Sequence, residues 1–275
     1  MITFDKTDFS RIAEIAQKRW GLHITDAKRD LVTARMTKFL RKSQFQAMND
    51  YLDFIEKDAS KDDLLALFDV LSTNMTSFFR ERQHFDYLER EFYTPLNRGN
   101  LTLSNRRLRI WSAACSTGAE PYTIAMHAME HFHNWKATDF KVLATDLSNT
   151  VLMKAKKAVY PADEIAGLDS EYKSKYFYTG KNERGDKTEQ VDASVWNLVT
   201  IRRLNLIGPW PFSGPFDIIF CRNVLFYFDK ETRYSLVQRM LEMLRPGGLL
   251  IVGSAESLNN LDLPLRTIQP SVYAK

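Results

Sequence analysis

Leu108-Arg109-Ile110-Trp111-Ser112-Ala113-Ala114-Cys115-Ser116-Thr117-Gly118-Ala119-Glu120-Pro121-Tyr122 reads as a strand, a turn of small residues and the start of a helix. That arrangement aims backbone N–H groups and a helix N-terminus at a ligand. The turn lacks the G-x-G-x-x-G of dinucleotide binders, so fewer glycines are available to wrap a pyrophosphate. Glu120 follows at once, and an acid there repels a phosphate. It suits a cationic ligand or a sugar hydroxyl, or it simply offsets the partial positive charge of a helix start.

Working outward, Phe140–Thr145, Phe216–Cys221 and Leu249–Gly253 are further short apolar runs with turn residues beyond them. Helical patterns lie between, over Glu120–Phe132, Ser148–Ala158 and Lys230–Leu244. Alternation of this length predicts an α/β domain with a mostly parallel sheet covered on both faces. The second strand ends Ala144-Thr145-Asp146-Leu147-Ser148, which places Asp146 at its carboxyl edge. An acid there binds ribose hydroxyls in doubly wound sheets, unless it only caps the next helix. Asn205-Leu206 could flank an adenine. A cofactor with a ribose, a positive centre and no phosphate is S-adenosylmethionine. Residues 162–204 break the rhythm, with Gly180 and Gly185 and patches such as Tyr176-Phe177-Tyr178 and Leu198-Val199-Thr200-Ile201. They read as an inserted antiparallel hairpin or small sheet.

The first quarter carries only helical periodicity. Ile12, Ile15, Ala16 and Trp20 share a face of a helix over 8–20, with Asp8 placed to cap it. A second helix over about 26–42 has Leu31, Ala34, Met36, Phe39 and Leu40 on a loose apolar side. Tyr51, Leu52 and Ile55 mark a third, and Leu64, Leu65, Leu67, Phe68 and Leu71 a fourth that ends before Asn74. Next comes Asn74-Met75-Thr76-Ser77-Phe78-Phe79-Arg80-Glu81, an amide, two hydroxyls and an arginine around an aromatic pair. The chain therefore divides into a helical domain over 1–73, a linker and cofactor-lid segment over 74–107, and a catalytic domain over 108–275.

Hydrophobic residues at 44% and charged residues at 26% fit a globular protein of 275 residues. No apolar run approaches the roughly 20 residues of a membrane span, and Met1–Lys6 has no apolar signal core, so a cytoplasmic location is expected. Cys115 and Cys221 read as small buried hydrophobes, with neither a disulfide nor a metal site expected of them. A net charge of +4 is too weak to argue for nucleic acid. Its distribution says more: from Lys28 to Lys42 the bases Lys28, Arg29, Arg35, Lys38, Arg41 and Lys42 face one acid, Asp30. That is a solvated face or a surface that steers toward an acidic partner.

Five segments in this order, Asn74–Glu81 (NMTSFFRE), Trp111–Tyr122 (WSAACSTGAEPY), Ala144–Ser148 (ATDLS), Asp217–Asp229 (DIIFCRNVLFYFD) and Leu244–Leu249 (LRPGGL), make the chain resemble the chemotaxis receptor glutamate methyltransferases, the CheR family. The similarity spans essentially the whole chain. It implies an N-terminal all-α domain and a Rossmann-like S-adenosylmethionine-dependent methyltransferase domain with a mostly parallel seven-stranded sheet and a small antiparallel β insertion. It implies methyl transfer to glutamate carboxylates on the cytoplasmic helices of chemoreceptors, with no metal and no membrane insertion. In some relatives a receptor C-terminal tail peptide is held by the β-subdomain. Cofactor contacts carry over to Asn74, Thr76, Arg80, Glu120, Asp146, Asn205, Leu206, Arg222 and Asn223. The resemblance departs at Ala119, where a second acid is usual, and at Gly253-Ser254-Ala255-Glu256, where Gly-His-Ser-Glu is common.

A glutamate nucleophile is already ionised at neutral pH, with a reference pKa near 4.3, so no general base is required. Arg80 and Tyr227 are the expected catalytic residues, orienting that carboxylate. Arg80 could instead be an ordinary ion-pairing arginine, and Tyr227 a core aromatic beside Phe226 and Phe228. The six bases from Lys28 to Lys42 are the expected docking surface for the glutamate-rich receptor helices. A methyltransferase with another substrate, or a non-enzymatic scaffold, is the competing reading. A nicotinamide dehydrogenase fails on the missing glycines and on Glu120.

Overall fold

The computed structural model describes residues 4–275; Met1–Thr3, part of the stretch without an apolar leader, lie outside the described residues. Helices α1 (Lys6–Trp20), α2 (Arg29–Leu40), α3 (Met48–Lys57) and α4 (Lys61–Leu71) form a bundle. Asp5, not Asp8, caps α1. Its carboxylate accepts from the Thr7 and Asp8 amides at 2.7 and 2.9 Å, while Asp8 accepts from the Asp5 amide at 3.0 Å, a reciprocal capping box. The buried side of α2 is Val32, Met36 and Leu40 at i, i+4, i+8. Leu31 and Ala34, expected inside, face solvent because the stripe of three already fills the space against Ile12, Trp20 and Leu52.

A long segment leads out of the bundle through α5 (Gln83–Leu88), a widened turn over Glu89–Tyr93 and α6 (Thr94–Asn97). The catalytic sheet then alternates β1 (Arg107–Ala113), α7 (Ala119–His131), β2 (Asp139–Asp146) and α8 (Asn149–Lys157). The small sheet follows with β3 (Val159–Pro161), α9 (Ser170–Tyr176), β4 (Phe177–Lys181), β5 (Lys187–Val191) and α10 (Ala193–Trp196). The chain closes with β6 (Val199–Arg203), β7 (Phe216–Cys221), α11 (Lys230–Met243), β8 (Leu244–Val252), β9 (Arg266–Gln269) and β10 (Val272–Ala274).

The large sheet has seven strands in the order β6-β2-β1-β7-β8-β10-β9, with only β10 running antiparallel to its neighbours. Side chains alternate between two cores. Ile110, Ile218, Phe220 and Ile251 face the layer containing α7 and α5, whereas Trp111, Ile219, Cys221 and Val252 face the layer containing α11. Cys115 and Cys221 are buried free thiols in different cores, and burial raises both pKa values. Among the described residues no helix is long and apolar enough to cross a membrane.

The inserted sheet, β3-β5-β4, differs from the expected span of 162–204 at both ends. It begins at Val159, and Val199–Arg203 leaves it to pair in parallel with Val142–Asp146 at the edge of the large sheet. Alternation alone did not distinguish these choices, because an edge strand with one exposed face alternates in either sheet.

The turn after β1 depends on Gly118, whose φ is +93°. A Cβ there would stand 2.9 Å from Tyr160 Oη and 3.0 Å from both Ala155 Cβ and Tyr122. Gly99, at φ +76°, has open space around the same position. Gly118→Ala should therefore cost about 1–3 kcal/mol more than Gly99→Ala, backbone strain being common to both. Thermal unfolding of the two variants side by side checks this, and equal midpoints would refute it.

Candidate active site

Chain order changes direction between β1 and β7, since β2 and β6 lie on one side of β1 and β7 on the other. Open α/β sheets bind ligands outside the strand carboxyl ends at such a switch point. A cleft opens there, lined by Ala114 and Ser116 after β1, Asp146 at the end of β2, Leu204–Leu206 after β6 and Arg222–Asn223 after β7. Its other wall is the helical domain and the 72–80 segment, including Trp20, Lys28, Arg35 and Thr73. Asn74, Thr76, Arg80, Glu120, Asp146, Asn205, Leu206, Arg222, Asn223 and Tyr227, separated widely in sequence, all line this one cleft.

The acids are held by different means. Asp146 Oδ2 accepts from the Ser116 amide at 2.9 Å and Oδ1 from the Ser148 amide at 3.0 Å. Burial pushes its pKa up against those bonds. Capping of α8 itself falls to Ser148, whose hydroxyl accepts from the Val151 amide at 3.3 Å. Each Asp146 oxygen thus keeps acceptor capacity toward the cleft. Glu120, in the first turn of α7, accepts from Ser112 Oγ at 2.7 Å and meets Arg222 Nη1 at 3.1 Å. Burial raises its pKa, and Arg222 pulls the other way.

Arg222 is the hub. Its side chain is 2% exposed, it pairs with Glu81 at 3.2 Å as well as with Glu120, and Nη2 also donates to the Arg80 carbonyl. Its plane lies over the Phe85 ring, 5.9 Å from the centroid. Glu81 further accepts from Asn223 Nδ2 at 3.2 Å and from the Ser254 amide at 3.1 Å. The two terminal nitrogens of Arg222 are thus both engaged by protein, and Nη1 sets the position of Glu120. Glu256 accepts from the amides of Asn223, Gly253 and Phe226 at 2.7, 2.8 and 3.3 Å, which fixes the loop after β7. Neither Glu81 nor Glu256 carried a role in the sequence reading. The signal for Glu81 was its place beside Arg80, and for Glu256 the Gly-x-x-Glu that follows β8.

Arg80 Nη1 donates to the Met75 carbonyl at 2.8 Å, and Tyr227 Oη reaches the Thr73 carbonyl at 3.4 Å. Both side chains are half-buried at the mouth. Lys28 Nζ stands 4.9 Å from the Tyr227 ring centroid, and burial raises the Tyr227 pKa. The Asn74 carbonyl accepts from Ser116 Oγ at 3.0 Å, tying the 74–80 segment to the β1 turn. Asn205 Nδ2 donates to the Arg19 carbonyl at 3.1 Å, so it links α1 to the sheet.

The six basic residues do not act alike. Lys38, Arg41 and Lys42 are exposed. Arg29 is half-buried and paired with Asp26. Arg35, expected on the docking surface, points inward. Its guanidinium donates to the Leu71 and Ser72 carbonyls at 3.0 and 2.9 Å and to Thr73 Oγ1 at 2.9 Å. The cause is the exposed C-terminus of α4, whose free carbonyls attract the cation.

The cleft fits S-adenosylmethionine. Asp146 offers acceptors for a ribose, the Glu81–Glu120–Arg222 cluster has two acids for one base, which suits a cationic ligand, and the small side chains of Ala114 and Ser116 line the cleft.

Residues 74–274 match the family described as CheR methyltransferase, SAM binding domain, and residues 7–72 match CheR methyltransferase, all-alpha domain. A chemotaxis protein methyltransferase of Borreliella burgdorferi is 37% identical over 276 residues, covering 100% of this chain and 96% of that protein. Chemotaxis protein methyltransferase 2 of Pseudomonas aeruginosa is 33% identical over 98% of this chain and 94% of its own length. The chemotaxis protein methyltransferase of Escherichia coli is 33% identical over 97% of this chain and 90% of its own. With both domains matched in order, the chain belongs to the CheR family of S-adenosylmethionine-dependent chemotaxis methyltransferases.

Proposed function

We propose that this protein forms methyl esters on glutamate side chains of chemoreceptors, acting in the cytoplasm, with Arg80 and Tyr227 as the residues that meet the substrate. The observation that carries this reading is the pairing of Arg80 and Tyr227 at the cleft mouth, a cationic and a phenolic donor suited to holding a carboxylate rather than to acting as a base. A carboxylate nucleophile needs none.

S-adenosylmethionine supplies, when bound, a methyl group activated by its sulfonium. Asp146 would accept the ribose hydroxyls. Glu120, set by Ser112 and Arg222, would lie toward the cationic end. Asn74, Thr76, Asn205, Leu206, Arg222 and Asn223 would close the remaining walls. Arg80 would turn from the Met75 carbonyl to orient the incoming carboxylate, and Tyr227 would donate its phenolic proton to the second oxygen. Orientation of this kind can supply several of the roughly 7–11 kcal/mol available from positioning. Because the carboxylate loses its charge on esterification, a tight double cation would hold the ground state more than the transition state. One arginine and one neutral phenol meet that constraint. A phenol is neutral at physiological pH, and burial raises its pKa further.

Two further readings concern the partner. Exposed Lys38, Arg41 and Lys42, with half-buried Lys28 beside Tyr227, would steer toward glutamate-rich receptor helices. The β-subdomain would tether a receptor tail as an added strand, since β4 lies at the edge of the small sheet.

Radiolabelled methyl transfer to receptor-containing membranes tests the assignment: the product should be base-labile, and a base-stable product would exclude an ester. Arg80→Ala should lower kcat/KM by about 10²–10³-fold, as expected for losing an oriented donor. Tyr227→Phe should lower kcat with little change in S-adenosylhomocysteine affinity measured by calorimetry. Reversing charge at Lys38, Arg41 and Lys42 should flatten the salt dependence of receptor methylation over roughly 0.05–0.3 M salt; an unaltered slope would remove the docking surface. Removing the receptor tail should slow methylation only if the tether operates.

A further inference from the structure

Helix α7 carries Glu120 into the cleft, and two turns further along the same face it places His127 and His131 one helical turn apart. Opposite them stands Glu89, at the start of the widened turn where the Thr94 amide bonds back five residues to the Glu89 carbonyl. A turn of that kind inserts a residue and re-aims the side chains around it. The outcome is a three-residue cluster in which one donor atom from each of Glu89, His127 and His131 lies within 4.8 Å of the others. His131 Nδ1 is 3.4 Å from Glu89 Oε1, and the two imidazole rings lie 4.3 Å apart. Tetrahedral zinc with bonds of about 2.0–2.1 Å sets its ligand atoms roughly 3.3–3.4 Å apart, so small side-chain rotations complete such a site.

His127 has no other occupation. It is 3% exposed, its Nδ1 has no hydrogen-bond partner among the described residues, and its ring is walled by Phe79, Phe85 and Tyr93. A buried ring nitrogen left unpaired costs about 1–3 kcal/mol. Packing alone would be served as well by an aromatic without nitrogens. His131 and Glu89 are partly open, their side chains 28% and 50% exposed, which gives an ion and a water a path to the cluster.

We propose that Glu89, His127 and His131 form a binding site for one divalent transition-metal ion of the zinc type, with a fourth position open to water. The ion would join α7 to the helix that follows the Asn74–Glu81 segment, clamping the layer behind the cofactor cleft. His127 lies seven residues, or about 10 Å along the helix, from Glu120. The metal therefore takes no part in methyl transfer and acts as a structural clamp.

The test uses the full chain without an affinity tag, stripped with chelator. Calorimetric titration with Zn²⁺ should give one site, and Co²⁺ should give the visible absorption bands of a tetrahedral centre. Glu89→Gln and His131→Asn, both at accessible positions, should each weaken Zn²⁺ binding at least about tenfold. S-adenosylhomocysteine affinity should remain at the wild-type value in both. Replacing exposed His133 by Asn should leave Zn²⁺ binding as in the wild type. A wild-type chain that takes up no Zn²⁺, or one whose uptake is unaffected by Glu89→Gln and His131→Asn, overturns the proposal.

Discussion

The Arg222 guanidinium is the constraint on which the site depends. It stands at the end of β7 with almost no solvent and bridges Glu120 on α7 to Glu81 on the segment leaving the helical domain. Three elements that are distant in sequence are thereby brought to one point. Removing one partner from a buried ion pair typically costs about 3–5 kcal/mol, because the charge left behind is uncompensated. Here it would leave two acids facing each other. The geometry of the cleft follows from this bridge: where Glu120 points, where Asn223 is held, and where the Arg80 backbone lies.

Around that bridge the fold accepts strain and desolvation. Phe79, Glu81, Ala114, Ser116 and Asn223 all have φ between +50° and +64°, and all lie in or beside the cleft. Such residues cost of order 1–3 kcal/mol each and persist only where their surroundings over-determine them. The surroundings are visible. Ser116 is fixed by Asp146 and the Asn74 carbonyl, Asn223 by Glu81 and Glu256. Burial raises the pKa values of Asp146, Glu120 and Glu256, while each is offset by backbone amides or by Arg222. Buried acids held in place by fixed dipoles suit a cationic cofactor, whose charge would offset the cost of burying theirs.

The sequence made the sheet legible because buried strands and amphipathic helices have distinct periods, and Leu108–Tyr122 contains both beside a turn of small residues. The places of Asp146 and Glu120 were legible for the same reason: one ends a strand and the other begins a helix whose limits could be read. The bounds of the small sheet were not, because Val199–Arg203 is an edge strand whose pairing partner is set by tertiary packing. Nor was the role of Arg35. A base on an amphipathic helix looks like surface charge until the carbonyl ends of α4 are placed against it. Glu256 escaped notice because its partners are backbone amides, which leave no mark on side-chain pattern.

The helical domain is joined to the cleft mouth through Tyr227. The His23 amide donates to the Tyr227 carbonyl at 2.7 Å, Leu22 bridges to Phe228, and Gln17 donates to Asp229 at 2.6 Å. Lys28 stands over the Tyr227 ring, and the phenol reaches Thr73 at the exit of the bundle. A residue fixed at its backbone, its ring and its hydroxyl by the same domain cannot shift independently of that domain. Arg35 strengthens the link by gripping the Leu71–Thr73 stretch that leads into Asn74. Lys28, just before α2, and Arg35 on it thus contact the two ends of one unit, the aromatic at the cleft mouth and the stretch of chain that leads to Arg80.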